Sequence, residues 1–496
     1  MRRVPFIAAM ILLTGVMAWA APFGQGNLAV YRIDDGSTGL TNAGNYAFID
    51  EYTTNGTLVQ TIALPTNQFI DVNGNTNYPI VNSGAATSEG FMNLSTDGRY
   101  LVFAGYATNN NWGSLNITAA LGINVPRVVG TVDWLGNINT TTAGTDGSLS
   151  SWVTGSGGNP RCAVSTDGSN FWVATSAAGV VYTTLGSNDC TVIDGPANKR
   201  NLGIYSLKPV TNSPYPYPPN SQQLYVMNAT TVGSVGTNLP TITGQAETAF
   251  PPFTTSVATA PPTKSPYQFV LLSLIPGDTN VDTMYIADEG SNVAKWCISP
   301  PLTNWVNYGS IDTSIGPNAL TYPCGTRGIT ASVTVNGAQT NVNLYIAAGC
   351  GNPGAGGGFL YAITDSTGYG GTLTTSQLPA PIASHPLGSL QVFRGVAFAP
   401  ANNFRVTSVA KSGSNVQLTW NGMAGRSYIV QTNAPALNGS FNNTTWADLS
   451  PTNWEVGTGP AGLSVGVGPV QGSYTDVGGA GSGPTRYYRV KLVPEP

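Results

Sequence analysis

The chain has 496 residues, only 8% of them charged, with 61 Gly, 35 Pro and a formal charge of −4. So few Lys, Glu and Arg exclude a mainly helical protein or a coiled coil, whose exposed faces draw on those residues, and the negative charge excludes a nucleic-acid partner held by phosphate neutralisation. A single histidine, His385, removes most metal and acid-base chemistry at the outset.

At the N-terminus Arg2 and Arg3 precede an apolar run from Val4 to Val16, followed by Ala18-Trp19-Ala20. This charged, apolar, small-residue order predicts a secretory signal peptide over residues 1–20. The run is shorter than the ~20 apolar residues of a membrane span, and no other long apolar run follows. The mature chain is expected to be exported, whether extracellular, surface-bound or periplasmic, with no transmembrane segment, and to be a monomer. Loss of the two arginines takes its charge from −4 to −6.

Beyond the leader the chain repeats itself. A short strand with an aromatic or aliphatic centre recurs as LAVYRI around Tyr31, YLVFAG around Val102, NFWVAT around Trp172, QLYVMN around Tyr225, TMYIAD around Tyr285 and NLYIAA around Tyr345. A second element precedes five of them: SEGFMNLS from Ser88, PRCAVS from Pro160, RNLGIYSL from Arg200, YQFVLLSL from Tyr267 and RGITASV from Arg327. A sixth copy, FRGVAFAP from Phe393, has no strand after it, and its natural partner is LAVYRI at the start. Strands VVGTVDWLG, GVVYTTLG, NVAKWCIS and FLYAITDS extend the units outward, and Thr96-Asp97-Gly98, Thr166-Asp167-Gly168 and Asn336-Gly337 supply hairpin turns.

Such a row of antiparallel units leaves two open edges unless its ends pair. The reading is an all-β β-propeller over residues 24–400, six blades by count, closed by pairing of the first and last strands. Its units average about 63 residues against the ~40–50 of common blade repeats. The excess leaves room for a seventh blade in the loop-rich stretch 236–265, and Pro209 to Pro219 reads as an insertion within one hairpin. From Arg405 the pattern changes to RVTSVAKSGSNVQLTW, GRSYIVQTN, TWADLS, GSYTDV and TRYYRVKLV, a small β-sandwich over 404–494 with Trp420 and Tyr488 at core positions.

Of five cysteines, Cys324 lies just before the strand starting at Arg327 and Cys350 just after its partner NLYIAA, so an antiparallel pairing sets them opposite each other as a disulfide. Cys162, Cys190 and Cys297 fall in different units and are left unassigned. No CxxC spacing supports a redox motif or a zinc knuckle.

The order GNLAVYRIDDGS, DEYTTNGTLVQTIALPT, STDGRYLVFAGY, RCAVSTDGSNFWVATSAAGVVYTTLGS, DTMYIADEG and FRGVAFAP resembles a family of large uncharacterised exported β-propeller proteins of environmental bacteria. The tail, through NVQLTW and RYYRV, resembles fibronectin-type-III-like modules of secreted bacterial proteins. The resemblance implies fold and export and supplies no catalytic residues. Val493-Pro494-Glu495-Pro496 resembles the start of a PEP-CTERM sorting signal, without the hydrophobic helix and basic cluster that follow in such signals.

Few residues offer chemistry. A serine triad would need His385, which sits in Ala383-Ser384-His385-Pro386 with no GxSxG nearby and reads as a solvated loop histidine. Glu89 enters an inner strand, where propeller side chains face the channel, and Arg161 and Arg327 hold comparable places in other units. These three are the channel-mouth candidates, read first as a polar ring closing the channel and only second as a catalytic acid with its neighbours.

For metals, Asp278, Asn280 and Asp282 place oxygens at alternate positions with Glu289 at the twelfth, a weak calcium pattern lacking the sixth-place glycine. Asp71, Asn73 and Asn75 are similar, and capping of turns by Asx side chains is the simpler account of both. No cofactor is expected, calcium being the one candidate. The leading expectation is a non-catalytic binding or surface-associated module for a glycan or cell-surface polymer. The alternatives are a metal-dependent hydrolase of lactonase or phytase type and a structural extracellular matrix protein.

Overall fold

The computed structural model of the chain describes residues 20–71, 73–109, 112–144, 158–195, 197–207, 221–229, 231–250, 265–275, 281–289, 292–299, 304–320, 324–336, 339–350, 356–401, 405–423, 426–433, 446–449, 454–456, 469–481 and 486–492. The segment through Trp19 expected to be a signal peptide, the stretch Pro209 to Pro219 expected to be an insertion and the terminal Val493-Pro494-Glu495-Pro496 lie outside them. The described chain is all-β, with helix confined to short 3₁₀ turns such as Ile117–Ala119.

Sets of four antiparallel strands follow one another. Pro160–Ser165, Asn170–Thr175, Val180–Thr184 and Thr191–Asp194 pair in chain order, and the same order holds for Pro266–Leu272, Thr283–Asp288, Asn292–Ser299 and Asn304–Asp312. Cys324–Asn336, Gln339–Cys350, Gly358–Asp365 and Ala383–His385 make another such sheet. Lys199–Leu207 and Ser221–Asn228 are completed by Val232–Val235 and Glu247–Ala249, so the described part of 236–265 gives that sheet its fourth strand and no further blade. Earlier in the chain, Asn93–Leu94, Tyr100–Tyr106, Arg127–Asp133 and Ile138–Ala143 form a fourfold set. The two-residue strand Val81–Asn82 stitches it to Asn45–Tyr52.

Leu28–Ile33 lies between Asn45–Tyr52 and Val392–Phe398, with Leu28 opposite Phe398, Ala29 opposite Ala397 and Val30 opposite Val396. The first and last strands of the repeat region are therefore neighbours in one sheet. The innermost strands also touch in turn: Asn93–Leu94 beside Pro160–Ser165, that beside Lys199–Leu207, then Pro266–Leu272, Cys324–Asn336 and Val392–Phe398, which returns to Asn93–Leu94. Repeated four-stranded sheets in this order fit a β-propeller.

Each pair of adjacent sheets shares an apolar core. Val102 and Val129 pack on Phe171 and Val173, and Val164 and Trp172 pack on Leu202 and Leu224. Leu28 and Val30 pack on Tyr345 and Ala347, while Tyr31 on the other face of the same strand meets Phe103. Coverage on both faces buries all six residues of LAVYRI, and a strand so placed reads as a nearly continuous apolar run rather than an alternation.

The turns follow from side-chain chemistry. In Thr96-Asp97-Gly98 the Gly98 amide donates to the Ser95 carbonyl at 2.8 Å, Ser95 Oγ donates to Asp97 Oδ1 at 2.6 Å, and Gly98 adopts φ 71°. Gly168 holds the matching place in the next sheet at φ 82°, and a Cβ there would come within 2.8 Å of the Tyr100 ring. A non-glycine residue is disfavoured on both counts. Asn336 faces Gln339 across the next turn, with 337–338 outside the described residues.

Cys324 and Cys350 are directly opposed and form a disulfide. Cys162 and Cys297 are buried in separate sheets and Cys190 is half-buried. In the tail, Arg405–Ser412, Asn415–Met423 and Pro469–Asp476 make one sheet; Arg426–Asn433 pairs with Ala447–Asp448, Trp454–Val456 and Tyr487–Leu492 in a second. Leu418 and Trp420 from the first pack on Val430 and Val490 from the second, with Trp420 wholly buried. Tyr488 is half-buried, its hydroxyl donating to Asp476 Oδ2 at 2.9 Å.

Candidate functional site

At or near the start of the innermost strands stand large polar side chains that cluster together: Glu89, Arg161, Arg200, Tyr267, Arg327 and Arg394. Glu89, Arg327 and Arg394 are fully buried, and Arg161 and Tyr267 nearly so. Glycines behind two of the arginines let the inner strands close up. A Cβ on Gly328 would stand 2.7 Å from the Arg394 carbonyl, and one on Gly395 would stand 2.4 Å from the Met92 amide.

Glu89 accepts from the Ser83 amide at 3.0 Å and from the Tyr106 hydroxyl at 2.8 Å. Burial pushes its carboxyl above the usual range, against those two bonds and the charges of Arg161 and Arg394. Arg327 donates through Nη2 to Glu289 Oε1 at 2.7 Å, and Tyr267 donates to Glu289 Oε2 at 2.7 Å. Burial alone would raise the Glu289 carboxyl, but the Arg327 charge and these bonds outweigh it and hold the group low. Tyr267 also takes two cations on its ring, Arg200 at 4.7 Å and Arg327 at 5.1 Å from the centroid.

A loop of small residues, Ser83-Gly84-Ala85-Ala86-Thr87-Ser88, lies against this cluster. Arg394 Nη2 donates to the carbonyls of Gly84 at 3.2 Å and Ala86 at 3.0 Å, Arg327 Nη1 to that of Thr87 at 3.4 Å, and Arg161 Nη1 to that of Ser88 at 3.5 Å. Thr87 Oγ1 lies 2.9 Å from the Tyr267 hydroxyl. Arg200 donates to Ser265 Oγ at 2.8 Å. Deeper between the inner strands, a cavity of about 60 Å³ is bounded by Met92, Val164, Tyr205, Gln268, Ile329 and Val396. It has room for a few waters and falls short of the ~300 Å³ of a small-molecule pocket.

Glu89, Arg161 and Arg327 thus share one buried cluster, each hydrogen-bonded to the Ser83–Ser88 loop. Arg200, Tyr267, Arg394 and Tyr106 join them without a signal read from the sequence, and Glu289, read there for calcium, joins them as the partner of Arg327 and Tyr267. The signal for two of these was present, since Arg200 opens RNLGIYSL and Arg394 stands in FRGVAFAP at the place Arg327 holds in RGITASV.

Asp278 and Asn280 lie outside the described residues. Asp282 closes a turn instead, accepting from the amides of Leu274 at 2.9 Å and Ile275 at 2.8 Å and from Thr283 Oγ1 at 2.7 Å. Glu289 is engaged by Arg327, and Asp71 accepts from the amides of Asn73 and Asn75, both at 2.9 Å. Among the described residues no three His, Cys, Asp or Glu side chains converge.

His385 differs from expectation. It ends the strand Ala383–His385 rather than sitting in a solvated loop, packs edge-on to Phe393 at 5.1 Å, and places Nε2 3.8 Å from Asp50 Oδ2. Pairing of Gly358 with His385 completes its sheet. A short apolar-poor segment followed by proline carries no strand signal of its own, and tertiary pairing overrides it.

A pH-dependent test follows from Glu89. A carboxyl whose folded pKa is raised favours the folded state at acidic pH, and that contribution is lost as pH rises from the unfolded glutamate value of ~4.3 through the folded one. Glu89→Gln is expected to match wild type near pH 4 and to exceed it in unfolding free energy at pH 7, measured by denaturant melts. A variant weaker than wild type at pH 7 only would show that attraction to Arg161 and Arg394 outweighs burial.

No protein-family model matches this chain, and no curated protein matches it in sequence. Among solved structures, the Pseudomonas aeruginosa periplasmic gluconolactonase PpgL overlaps 90% of this chain and 98% of its own, with TM-score 0.32 and 10% identity. The RRP9 WD40 repeats overlap 82% and 92%, with TM-score 0.32 and 8% identity. The C-terminal WD40 domain of Sif2 overlaps 81% and 96%, with TM-score 0.25 and 9% identity. Likeness at that level bears on neither substrate nor reaction.

Proposed function

We propose that residues 24–400 form a six-bladed β-propeller closed between Leu28–Ile33 and Val392–Phe398, that residues 404–494 form a fibronectin-type-III-like sandwich, and that the protein is an exported, non-catalytic binding module for a glycan or extracellular polymer. The observation that carries the binding reading is the composition of the channel mouth. Four guanidiniums and a small-residue loop fill it, and its two carboxylates are tied to Ser83, Tyr106, Arg327 and Tyr267. Guanidinium donors suit ligand recognition and do not suit the oxygen-rich cage a catalytic cation needs. The Cys324–Cys350 disulfide supports an oxidising compartment, and the leader over residues 1–20 supplies the route.

Affinity electrophoresis through gels containing neutral or acidic polysaccharides tests the reading. Retardation by at least one polymer, with no calcium-dependent rise in melting temperature, is expected. Free migration in every gel together with calcium-dependent lactone hydrolysis would overturn it.

A further inference from the structure

Three arginines at the mouth hold donors that nothing satisfies. Arg161 Nε, Arg200 Nε and both Nε and Nη1 of Arg394 are buried with no hydrogen-bond partner, although Arg394 is 0% and Arg161 7% exposed. Leaving a buried charged donor unmet costs the desolvation of that group with nothing in return, so such a cluster calls for an acceptor.

The acceptors already present are weak. The loop carbonyls of Gly84, Ala86, Thr87 and Ser88 are neutral and stand 3.0–3.5 Å from the guanidiniums, longer than the ~2.7–2.9 Å of a bond between guanidinium and oxyanion. The charges are also unbalanced. Four guanidiniums face Glu89 and Glu289; Asp288 lies one step behind, accepting from the Ser265 amide at 3.0 Å. Arg394 feels the imbalance: burial, then the charge of Arg327, pushes its guanidinium down to about 9.

We propose that this mouth is an oxyanion site, at which Arg161, Arg200 and Arg394 bind a carboxylate or sulfate group carried by an extracellular polymer, displacing the Ser83–Ser88 carbonyls. The assignment rests on the binding reading above and names its ligand chemistry. Arg327 stays on Glu289 and orients Tyr267, whose ring backs Arg200. Each of the three arginines brings a planar guanidinium with an unmet donor, a fork that matches carboxylate and sulfate oxygens where a lysine offers only a point charge.

The test is a thermal melt of the purified chain in sodium sulfate against sodium chloride of equal ionic strength, at the low millimolar concentrations where the general stabilising effect of sulfate is small. Sulfate is expected to raise the melting temperature saturably. Arg394→Met and Arg161→Met are each expected to weaken the effect about tenfold or more, the worth of a charged hydrogen bond, while Arg99→Gln, away from the mouth, leaves it unchanged. Affinity gels with polygalacturonate, dextran sulfate and plain dextran then separate the sources: carboxylate, sulfate ester or neither.

No saturable sulfate effect in the wild type overturns the oxyanion site, and that measurement stands even where a variant does not fold. Retardation by plain dextran that survives Arg394→Met removes the oxyanion site while keeping a polymer-binding module. A saturable sulfate effect with no retardation by any polymer does the reverse.

Discussion

Replacing Asp365 by alanine is expected to lower the unfolding free energy by about 3–5 kcal/mol, because it strands a buried ammonium. Lys295 Nζ sits 2.7 Å from Asp365 Oδ2 with both side chains wholly buried, and donates to Thr367 Oγ1 at 2.8 Å and to the carbonyls of Gly368 at 2.7 Å and Gly371 at 2.8 Å. Tyr285 donates to the same carboxylate at 2.5 Å. The network joins two adjacent sheets, since Lys295 belongs to Asn292–Ser299 and Asp365 to Gly358–Asp365. The double change Lys295→Met with Asp365→Leu is expected to cost less than Asp365→Ala alone, because an apolar pair leaves no unpaired charge.

The same pair sets a pH dependence. Burial alone would raise the Asp365 carboxyl, but bonds from Lys295, Thr367 and Tyr285 outweigh it and hold the group below the usual range. A depressed folded pKa contributes stability above the unfolded aspartate value of ~3.9, and the contribution is lost as pH falls through the folded value. Denaturant melts from pH 7 down to pH 3 are expected to lose this share in wild type and to show a shallower acid limb in Asp365→Asn. An equally steep limb in the variant would assign acid unfolding to other carboxylates.

The second large effect is expected at Val30, which is wholly buried, opposite Asp50 on one side and Val396 on the other. Val30→Pro removes a backbone donor from a strand paired on both edges, where proline has no place. It leaves a buried carbonyl unmet, worth ~1–3 kcal/mol, and disturbs packing against Tyr345 and Ala347. A loss of at least ~3 kcal/mol is expected, visible as a lower denaturant midpoint for the whole repeat region. A midpoint near wild type would mean that this strand contributes little.

Much of the fold was legible because its strands are covered on both faces. Runs such as LAVYRI and TMYIAD then stand out without alternation, and a leftover copy such as FRGVAFAP points to the strand it lies against. The opposed cysteines followed from the same hairpin logic. The site was legible only in part. Glu89, Arg161 and Arg327 share a place in the repeat, but Tyr267 breaks the charge pattern, and the course of the Ser83–Ser88 loop is held by its own Ser83–Ala86 bond together with arginines from other sheets, which no local pattern reports. Lys295 and Asp365 meet across a sheet boundary, and no local pattern reports that. His385 was misplaced for a related reason, its strand existing only because Gly358 offers an edge. Asp282, read for calcium, spends its oxygens on the amides of its own turn.

A ring closed by its two ends is the premise on which the mouth, the arginine cluster and the loop clasp all depend. Native-state amide exchange over Leu28–Ile33 and Val392–Phe398 measures it most directly, since a paired end opens only with the body of the fold whereas an unpaired one frays. Both strands are expected to exchange with the same opening free energy as Pro160–Ser165 and Cys324–Asn336. Rapid exchange in either terminal strand, with the intervening sheets still protected, would contradict closure.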